Sequence, residues 1–148
     1  MNESVFRREV ILSLRHYFPG IYIEAKSGYI MGAGTADISC SLGGNYVAFE
    51  NKLVKSIPKS PMTKLMRNGF TEIQIQTANK IIESGGLAFG LVNIRPYKTI
   101  CVVRINELSN TLSLANMEKL SSSILGRVNG FWEVNKIMIL SMFVKSPK

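Results

Sequence analysis

The feature that most constrains this chain is a pair of glycines between two alternating segments, in residues 36–53, ADISCSLGGNYVAFENKL. Two-residue hairpin turns need positive φ, which glycine adopts without steric cost, so Gly43-Gly44 predicts a β-hairpin. Both flanking segments alternate with the period of a strand. One face of the hairpin should pack on a core, through Ile38, Cys40, Leu42, Val47, Phe49 and Leu53. The opposite face holds the charged side chains, among Asp37, Ser39, Ser41, Tyr46, Ala48, Glu50 and Lys52.

The register of the hairpin decides which carboxylates meet. A two-residue turn pairs Leu42 with Asn45 and, counted outward, places Asp37 opposite Glu50. A three-residue loop ending at Asn45 would shift the pairing by one and place Asp37 opposite Asn51. In the first register the two carboxylates could share a cation, because Cβ atoms of cross-strand partners are about 4.5–5.5 Å apart.

The charged face has the composition of a metal-dependent hydrolytic site. Glu50 and Lys52 are two residues apart on one strand, so they stand about 7 Å apart on the same face. Carboxylate oxygens suit Mg²⁺, which keeps several waters and often binds phosphate as well. A lysine beside them can orient or activate a water, or offset charge that develops on a phosphate. A charged, solvated hairpin face is the alternative interpretation.

Composition favours one globular domain spanning residues 1–148. Hydrophobic residues make up 46% of the chain and charged residues 19%, which is the reverse of a disordered composition. No apolar run reaches the ~18 residues of a membrane span, so we expect no membrane partner. Cys40 and Cys101 lie in apolar, strand-like runs and are expected to be buried thiols of a reduced compartment. We therefore expect a cytoplasmic or nucleoid-associated protein; a disulfide between the two cysteines is the alternative.

The charge distribution points to a polyanionic partner. The net charge is +8 and the pI about 9.7. Between residues 51 and 71 there are five bases and no acid, namely Lys52, Lys55, Lys59, Lys64 and Arg67. Because these bases begin at the candidate site, we interpret residues 54–70 as a mobile flap that contacts DNA, with one helical turn near 63–67. A solvated linker is the alternative.

Residues 3–17 are predicted to form an amphipathic helix, capped by Asn2. Its apolar stripe comprises Phe6, Val10, Leu14 and Tyr17, and His16 falls off the stripe, as a surface histidine would. Glu3 extends the stripe backward by one turn, which makes it a candidate additional metal ligand. Glu9 is the competitor for that role. An acid that simply favours the helix dipole is the alternative interpretation of Glu3.

A second helix is predicted over residues 71–84, with Thr71 as its N-cap and Gly85-Gly86 at its end. Its buried face is expected to comprise Ile75, Ala78, Ile81 and Ile82. Gln74 lies one turn before Ala78, where it can reach the polar end of the sheet, although a surface amide is the alternative. Short apolar runs predict strands at 21–23, 87–94, 99–105 and 137–144. Residues 115–125 have a helical pattern.

Together these motifs resemble the PD-(D/E)xK nuclease superfamily. The resemblance rests on Asp37 followed by Glu50-Asn51-Lys52 at the end of a β-run, and it extends from residue 3 to about 94. Within the superfamily the chain is most similar to the virus-type replication-repair nuclease branch (VRR-NUC), and more distantly to archaeal Holliday-junction resolvases. The matching segments are Gly34-Thr35-Ala36-Asp37-Ile38, Ala48-Phe49-Glu50-Asn51-Lys52, Thr71-Glu72-Ile73-Gln74 and Gly85-Gly86-Leu87-Ala88-Phe89. The chain departs from the family where the usual proline before the aspartate is Ala36, and in the length of the segment between Lys52 and Gln74.

The resemblance implies an α/β fold with a restriction-endonuclease-like core, in which a mixed central β-sheet is flanked by helices. It implies Mg²⁺ or Mn²⁺ held by Asp37, Glu50, the Asn51 backbone carbonyl and the possible ligand Glu3. Lys52, Asp37, Glu50 and Gln74 would then form the catalytic set, and Lys55, Lys59, Lys64 and Arg67 would bind DNA. It further implies phosphodiester hydrolysis of branched, flapped or four-way DNA in replication, recombination or repair, by a homodimer. A virus-encoded origin stays open.

Two other functions fit the same residues. One is a non-catalytic DNA-binding protein on the same fold, since a fold does not fix a function. The other is a restriction-type nuclease, which would read bases in a groove of the DNA. Metal-dependent cleavage separates the enzyme from the binder. Cutting that follows branch structure and ignores sequence would exclude the restriction-type nuclease.

Overall fold

A computed structural model describes residues 1–25, 36–66 and 68–138. These residues form a six-stranded mixed sheet of order β1-β2-β3-β4-β5-β6, a small β7-β8 hairpin and flanking helices. The strands are β1 Ile23–Ala25, β2 Ile38–Leu42, β3 Asn45–Val54, β4 Leu87–Ile94, β5 Thr99–Arg104, β6 Ser121–Leu125, β7 Arg127–Val128 and β8 Phe131–Trp132. Three α-helices are α1 Glu3–Tyr17, α2 Glu72–Glu83 and α3 Leu114–Leu120, a further helical turn covers 135–138, and short 3₁₀ helices cover Arg95–Tyr97 and Glu107–Asn110. The predicted fold class, α/β with a mixed sheet flanked by helices, is confirmed.

The predicted hairpin register is confirmed. Leu42 pairs with Asn45, and the ladder continues to Ile38 opposite Phe49. Gly43 and Gly44 have φ of 55° and 83°, the positive values that a two-residue turn between twisted strands needs. Strands β3 and β4 pair in parallel, whereas every other pair in the six-stranded sheet is antiparallel. The parallel pair forms because the chain crosses over through α2 before it enters β4.

Helix α1 covers one face of the sheet. The Asn2 side chain accepts a hydrogen bond from Val5 N–H and caps the helix, as predicted. Of the predicted apolar stripe, Phe6, Val10 and Leu14 are buried against the apolar face of the hairpin, and Tyr17 is partly buried against the same core. This first core comprises Phe6, Val10, Leu14, Ile38, Cys40, Leu42, Val47, Phe49, Leu87, Phe89, Leu91, Ile100, Val102, Leu125, Trp132, Val134 and Ile137.

The opposite face of the sheet is also covered, by α2, α3 and the segment that follows β3. The second core comprises Val54, Leu65, Phe70, Ala78, Ala88, Val92, Ile94, Val103, Ile105, Leu112, Met117 and Leu120. The charged face of the hairpin is therefore buried around Ala48, which is 2% exposed, and Glu50, which is 4% exposed. Beside the turn the same face is solvated, since Tyr46 is 51% exposed. Ile82, predicted to be buried, is 48% exposed because α2 presents Ala78 and its neighbours to the sheet.

The segment after β3 is predicted to be a mobile flap with a helical turn near 63–67, and the predicted position of that turn is wrong. The turn lies earlier, where Lys64 N–H donates to the Ser60 carbonyl. Further along, Leu65 N–H donates to the Leu112 carbonyl at 2.7 Å, and Phe70 N–H donates to the Ser109 carbonyl at 2.9 Å. These bonds tie the segment to the 3₁₀ helix at Glu107–Asn110 and to the residues between it and α3. The apolar side chains Leu65 and Phe70 of the segment belong to the second core.

Three further sequence predictions differ from the structure. The strand predicted at 21–23 begins two residues later, in β1. The pattern at 115–125 is helical in its first half, but Ser121–Leu125 pair with β5 as an edge strand. The strand predicted at 137–144 is wrong at its described start, since a helix covers 135–138; residues 139–144 lie outside the described part.

Both cysteines are free thiols on the central sheet, as expected from their apolar surroundings. Cys40 is buried on β2, and burial raises its pKa to about 12. Burial also raises the pKa of the Cys101 thiol on β5. Both thiols therefore stay protonated at neutral pH, and neither is a candidate nucleophile. Within 1–25, 36–66 and 68–138 no helix combines the length and apolar character needed to cross a bilayer.

Gly90 provides a direct test of the second core. A Cβ at this position would lie 2.4 Å from Phe70 Cζ and 2.8 Å from Val103 Cγ2, and both side chains are fully buried. We predict that Gly90→Ala destabilises the protein by about 1–3 kcal/mol, as overpacked cores do, measured by urea unfolding. Gly126→Ala is the control, because its Cβ would meet only a carboxylate oxygen of Glu133 at 3.2 Å. Equal effects of the two substitutions would contradict the packing described here.

Candidate active site

Asp37 is held against the backbone of the strand that carries the other candidate residues. It lies directly before β2, and its Oδ2 accepts a hydrogen bond from Asn51 N–H at 2.8 Å. The ladder between β2 and β3 ends at Ile38 opposite Phe49, so the aspartate side chain continues the pairing where the backbone no longer does. Asp37 thereby lies beside the peptide that joins Glu50 to Asn51, as the hairpin register predicted.

Asn51 contributes a backbone oxygen to the same place. The N–H and C=O of one residue in a strand point towards the same neighbouring strand. Because Asn51 N–H points towards Asp37, its carbonyl lies on that side as well, beyond the end of the β2 ladder. The Asn51 side chain is buried, and neither its Oδ1 nor its Nδ2 has a hydrogen-bond partner among the described residues. Such an unpaired amide is costly, which points to a functional constraint at this position.

Glu50 is buried under the start of α2. Its Oε2 accepts a hydrogen bond from Gln74 Nε2 at 3.2 Å. The same Gln74 side chain caps the helix, because its Oε1 accepts from Thr71 N–H at 2.9 Å while Thr71 Oγ1 accepts from Gln74 N–H at 3.2 Å. The sequence predicted that Gln74 reaches the polar end of the sheet. The structure adds that one amide joins the helix cap to the carboxylate.

Lys52 lies on the same face of β3, two residues beyond Glu50, and its side chain is half-buried. Its Nζ is 5.4 Å from the centre of the Phe70 ring, a cation–π distance. Phe70 approaches this closely because Gly90, the partner of Glu50 on β4, has no side chain in its path. Sequence reasoning missed Phe70, since nothing in the spacing of residues 52 and 70 indicates contact.

Lys52 lines two adjoining cavities of about 490 and 320 Å³. The larger one, the lysine cavity, is lined by Glu3, Lys52, Leu53, Val54, Lys55, Ser56, Pro58, Leu65, Met66 and Asn68. The smaller one is lined by Lys52, Lys64, Met66, Asn68, Gly69, Thr71, Asn110 and Thr111. Of the predicted DNA-binding residues, Lys55 and Lys64 therefore lie at these cavities with Lys52. Lys59 is exposed outside both, and Arg67 lies outside the described residues.

The structure also separates the two glutamates of α1. Glu3 is exposed and lines the lysine cavity, which places it near Lys52. Glu9 lies elsewhere: its Oε1 accepts hydrogen bonds from Arg127 Nη2 at 2.7 Å and from Trp132 Nε1 at 3.3 Å. Glu9 therefore stabilises the contact between α1 and the β7–β8 hairpin. Glu3 remains the candidate for the site.

The oxygen donors of the described residues suit a hard divalent cation that takes few of its ligands from the protein. No cluster of three or more His, Cys, Asp or Glu side chains occurs within the described ranges. Asp37, Glu50 and the Asn51 carbonyl nevertheless offer oxygen ligands from adjacent chain segments. Mg²⁺ binds proteins through one or two carboxylates and keeps waters or substrate phosphates for its other positions. The residues present therefore fit Mg²⁺ and do not resemble a closed structural metal site.

Among known proteins, the matches to this chain are solved structures. No family model matches the sequence, and no curated protein matches it. Solved structures similar to this chain include Hjc, a Holliday junction resolvase from Archaeoglobus fulgidus, an archaeal hyperthermophile. The similarity to Hjc has a TM-score of 0.48 with 17% sequence identity, and it covers 78% of this chain and 97% of Hjc. At this level of similarity the function has to be argued from the site itself.

The shared role of Gln74 predicts unequal effects of two substitutions on stability. Thr71→Ala removes one hydrogen bond of the cap and should cost about 1 kcal/mol. Gln74→Ala removes the other cap bond and also a donor to buried Glu50, so it should cost about 2–3 kcal/mol. The free energies are measured by urea unfolding at neutral pH.

Gln76→Ala, on the exposed side of the same helix, is the control for helix propensity and should change stability least. Equal losses for Thr71→Ala and Gln74→Ala would show that the bond between Gln74 and Glu50 contributes nothing measurable.

Proposed function

We propose that this protein is a Mg²⁺- or Mn²⁺-dependent DNA endonuclease. The observation that carries the proposal is the hydrogen bond from Asn51 N–H to Asp37, which sets one carboxylate beside the strand that presents Glu50 and Lys52. Two carboxylates and an amine within one short stretch of hairpin are suited to hydrolysis of a phosphodiester. The sequence resemblance to PD-(D/E)xK nucleases supports the same assignment on the same residues.

Each residue has a distinct part in this proposal. Asp37, Glu50 and the Asn51 carbonyl would hold the metal, and Gln74 fixes the Glu50 carboxyl from the start of α2. A bound Mg²⁺ supplies a Lewis acid for the scissile phosphate and lowers the pKa of a coordinated water. Glu3, at the edge of the lysine cavity, is a further potential ligand or water contact.

Lys52 would act on the reacting phosphate or its attacking water. Its ammonium can hold that water by a hydrogen bond and offset the charge that develops on the phosphoryl oxygens. The face of the Phe70 ring lies 5.4 Å from Nζ, which restricts the directions that the flexible lysine can take. Because Lys52 lines both cavities, a phosphate in either would be within its reach.

The proposed substrate is DNA, held by its phosphates. Lys55, Lys59 and Lys64 are exposed in the segment that borders the cavities, and the chain carries a net charge of +8. The resemblance to the VRR-NUC branch and to Holliday-junction resolvases supports branched, flapped or four-way DNA as the preferred form. One site cuts one strand, so we propose a homodimer for paired cuts in such a substrate.

One structural observation favours the non-catalytic alternative. Glu50 is 4% exposed, and neither Glu50 nor Asp37 lines either of the two cavities at Lys52. A binding protein on this fold would use the same bases and need no accessible carboxylate.

A cleavage panel tests the proposal. Duplex, single-stranded, flapped and four-way DNA are incubated with the protein, with and without Mg²⁺ or Mn²⁺. We predict metal-dependent cutting of branched forms, which Asp37→Asn or Glu50→Gln abolishes while DNA affinity in Ca²⁺ stays nearly unchanged. Each substitution preserves shape and removes one charged oxygen donor. Glu118→Gln, an exposed acid on α3, is the matched control and should cut normally.

Lys52→Ala is the decisive variant in the same assay. Its single-turnover rate at saturating protein should fall by about 10²-fold or more, the typical contribution of a positioned proton-transfer or charge-stabilising group. Cutting at the wild-type rate by Lys52→Ala would refute the mechanism. If the wild-type protein binds DNA but cuts no form with either metal, the binder interpretation replaces the enzyme.

A further inference from the structure

A third basic cavity lies on the other side of the first turn of α1. This hairpin cavity has a volume of about 470 Å³ and is lined by Met1, Asn93, Arg95, Lys98, Arg127 and Trp132. Three of its six lining residues are bases and none is an acid. It includes residues from the last third of the chain, to which the sequence motifs assign no role.

The hairpin cavity adjoins the candidate active site. Asn93, which lines it, is the register partner of Leu53, which lines the lysine cavity. Paired strands are about 4.8 Å apart, so these two positions are immediate neighbours. The start of α1 divides the two cavities, because Met1 lines one and Glu3 lines the other.

The bases of this cavity project from tight, well-anchored segments. Arg95 and Lys98 begin and end one turn, closed by a hydrogen bond from Lys98 N–H to the Arg95 carbonyl at 3.0 Å. Neither forms an ion pair with another residue of the described ranges. Their charges are therefore available to a ligand, and the turn holds both at one rim of the cavity.

The opposite wall is the β7–β8 hairpin, which is fixed to α1. Trp132 N–H donates to Ser13 Oγ at 3.0 Å, and the Arg127 guanidinium lies 4.5 Å from the centre of the Trp132 ring while it bonds Glu9. Glu9 offsets part of the Arg127 charge, so the excess charge of the cavity comes mainly from Arg95 and Lys98. Trp132 is 3% exposed and cannot stack on a base, so the cavity would recognise anionic groups. Backbone phosphates are the anions that the proposed DNA substrate offers.

We infer that the hairpin cavity binds backbone phosphates of the same DNA, as a second contact across the first turn of α1 from Lys52. The inference rests on the proposed function for the identity of the ligand. DNA that leaves the lysine cavity would pass the start of α1 and meet Arg95 and Lys98. The cavity adds affinity through counterion release and takes no part in the cleavage step.

The test uses the full chain with Arg95→Gln and Lys98→Gln combined, which removes two charges and keeps both side chains polar. Binding to duplex DNA in Ca²⁺ is measured over a series of salt concentrations. The slope of log K against log salt is negative, and the loss of two phosphate contacts should make it shallower by up to about 2. Binding should also weaken at each salt concentration. Single-turnover cleavage at saturating protein should keep the wild-type rate.

The control combines Lys80→Gln and Lys119→Gln, two exposed lysines on α2 and α3 that line none of these cavities. It changes the net charge equally, so it reports the effect of long-range electrostatics alone. The inference is supported if log K depends less steeply on log salt in the Arg95/Lys98 variant than in the control. This result would stand even if the wild type cuts no DNA and the nuclease proposal fails. Equal slopes in the two variants overturn the inference, even if the wild type is an active nuclease.

Discussion

The burial of the Glu50 carboxyl is the constraint on which the arrangement of the site depends. A carboxylate that is 4% exposed is costly unless hydrogen bonds or a cation compensate for its lost hydration. The amide of Gln74 supplies one such bond, because the first turn of α2 places this side chain over Glu50 on β3. The same Gln74 amide therefore takes part in the N-terminal cap of α2 and in the hydrogen bond to the Glu50 carboxyl. A change in the angle of α2 would therefore remove a hydrogen-bond donor from the buried Glu50 carboxyl.

The parallel pair β3–β4 explains why the cap of α2 and the Glu50 carboxyl lie where they do. A parallel pair needs a crossover, and the crossover brings α2 and the segment before it onto the face that carries Glu50 and Lys52. Phe70 belongs to that segment, and the space above Gly90 admits its ring next to Lys52. On the other face, α1 and the β7–β8 hairpin form the first core and the basic hairpin cavity. The catalytic candidates Glu50 and Lys52 thus lie on one face of the sheet, and the lysine cavity and the hairpin cavity adjoin beside the start of α1.

The sequence predicted the parts of the site that depend on a turn or a helix cap close by in the chain. The glycine pair fixed the register of β2 with β3, which placed Asp37 beside Glu50, and the cap at Thr71 located Gln74. The capping-box spacing of Thr71 and Gln74 is visible in the sequence and could have shown that the glutamine amide also serves the helix. Contacts between distant segments were not predictable in the same way. No periodicity in the sequence indicates the contact of Phe70 with Lys52, or of Glu9 with Arg127. The residues of each pair are far apart in the sequence, and only the folded sheet brings them together. The strand β6 was missed because a short edge strand of serines lacks the apolar alternation that marks a strand.

Direct observation of a metal tests the central claim that Asp37, Glu50 and the Asn51 carbonyl form one cation site. The measurement is anomalous diffraction from crystals of the protein grown with Mn²⁺ and a non-cleavable DNA. The account predicts an anomalous peak within bonding distance of a carboxylate oxygen of Asp37 and one of Glu50, at about 2.1 Å for an octahedral oxygen site. Ordered Asp37 and Glu50 side chains without such a peak, while Mn²⁺ is bound elsewhere on the chain, would contradict it.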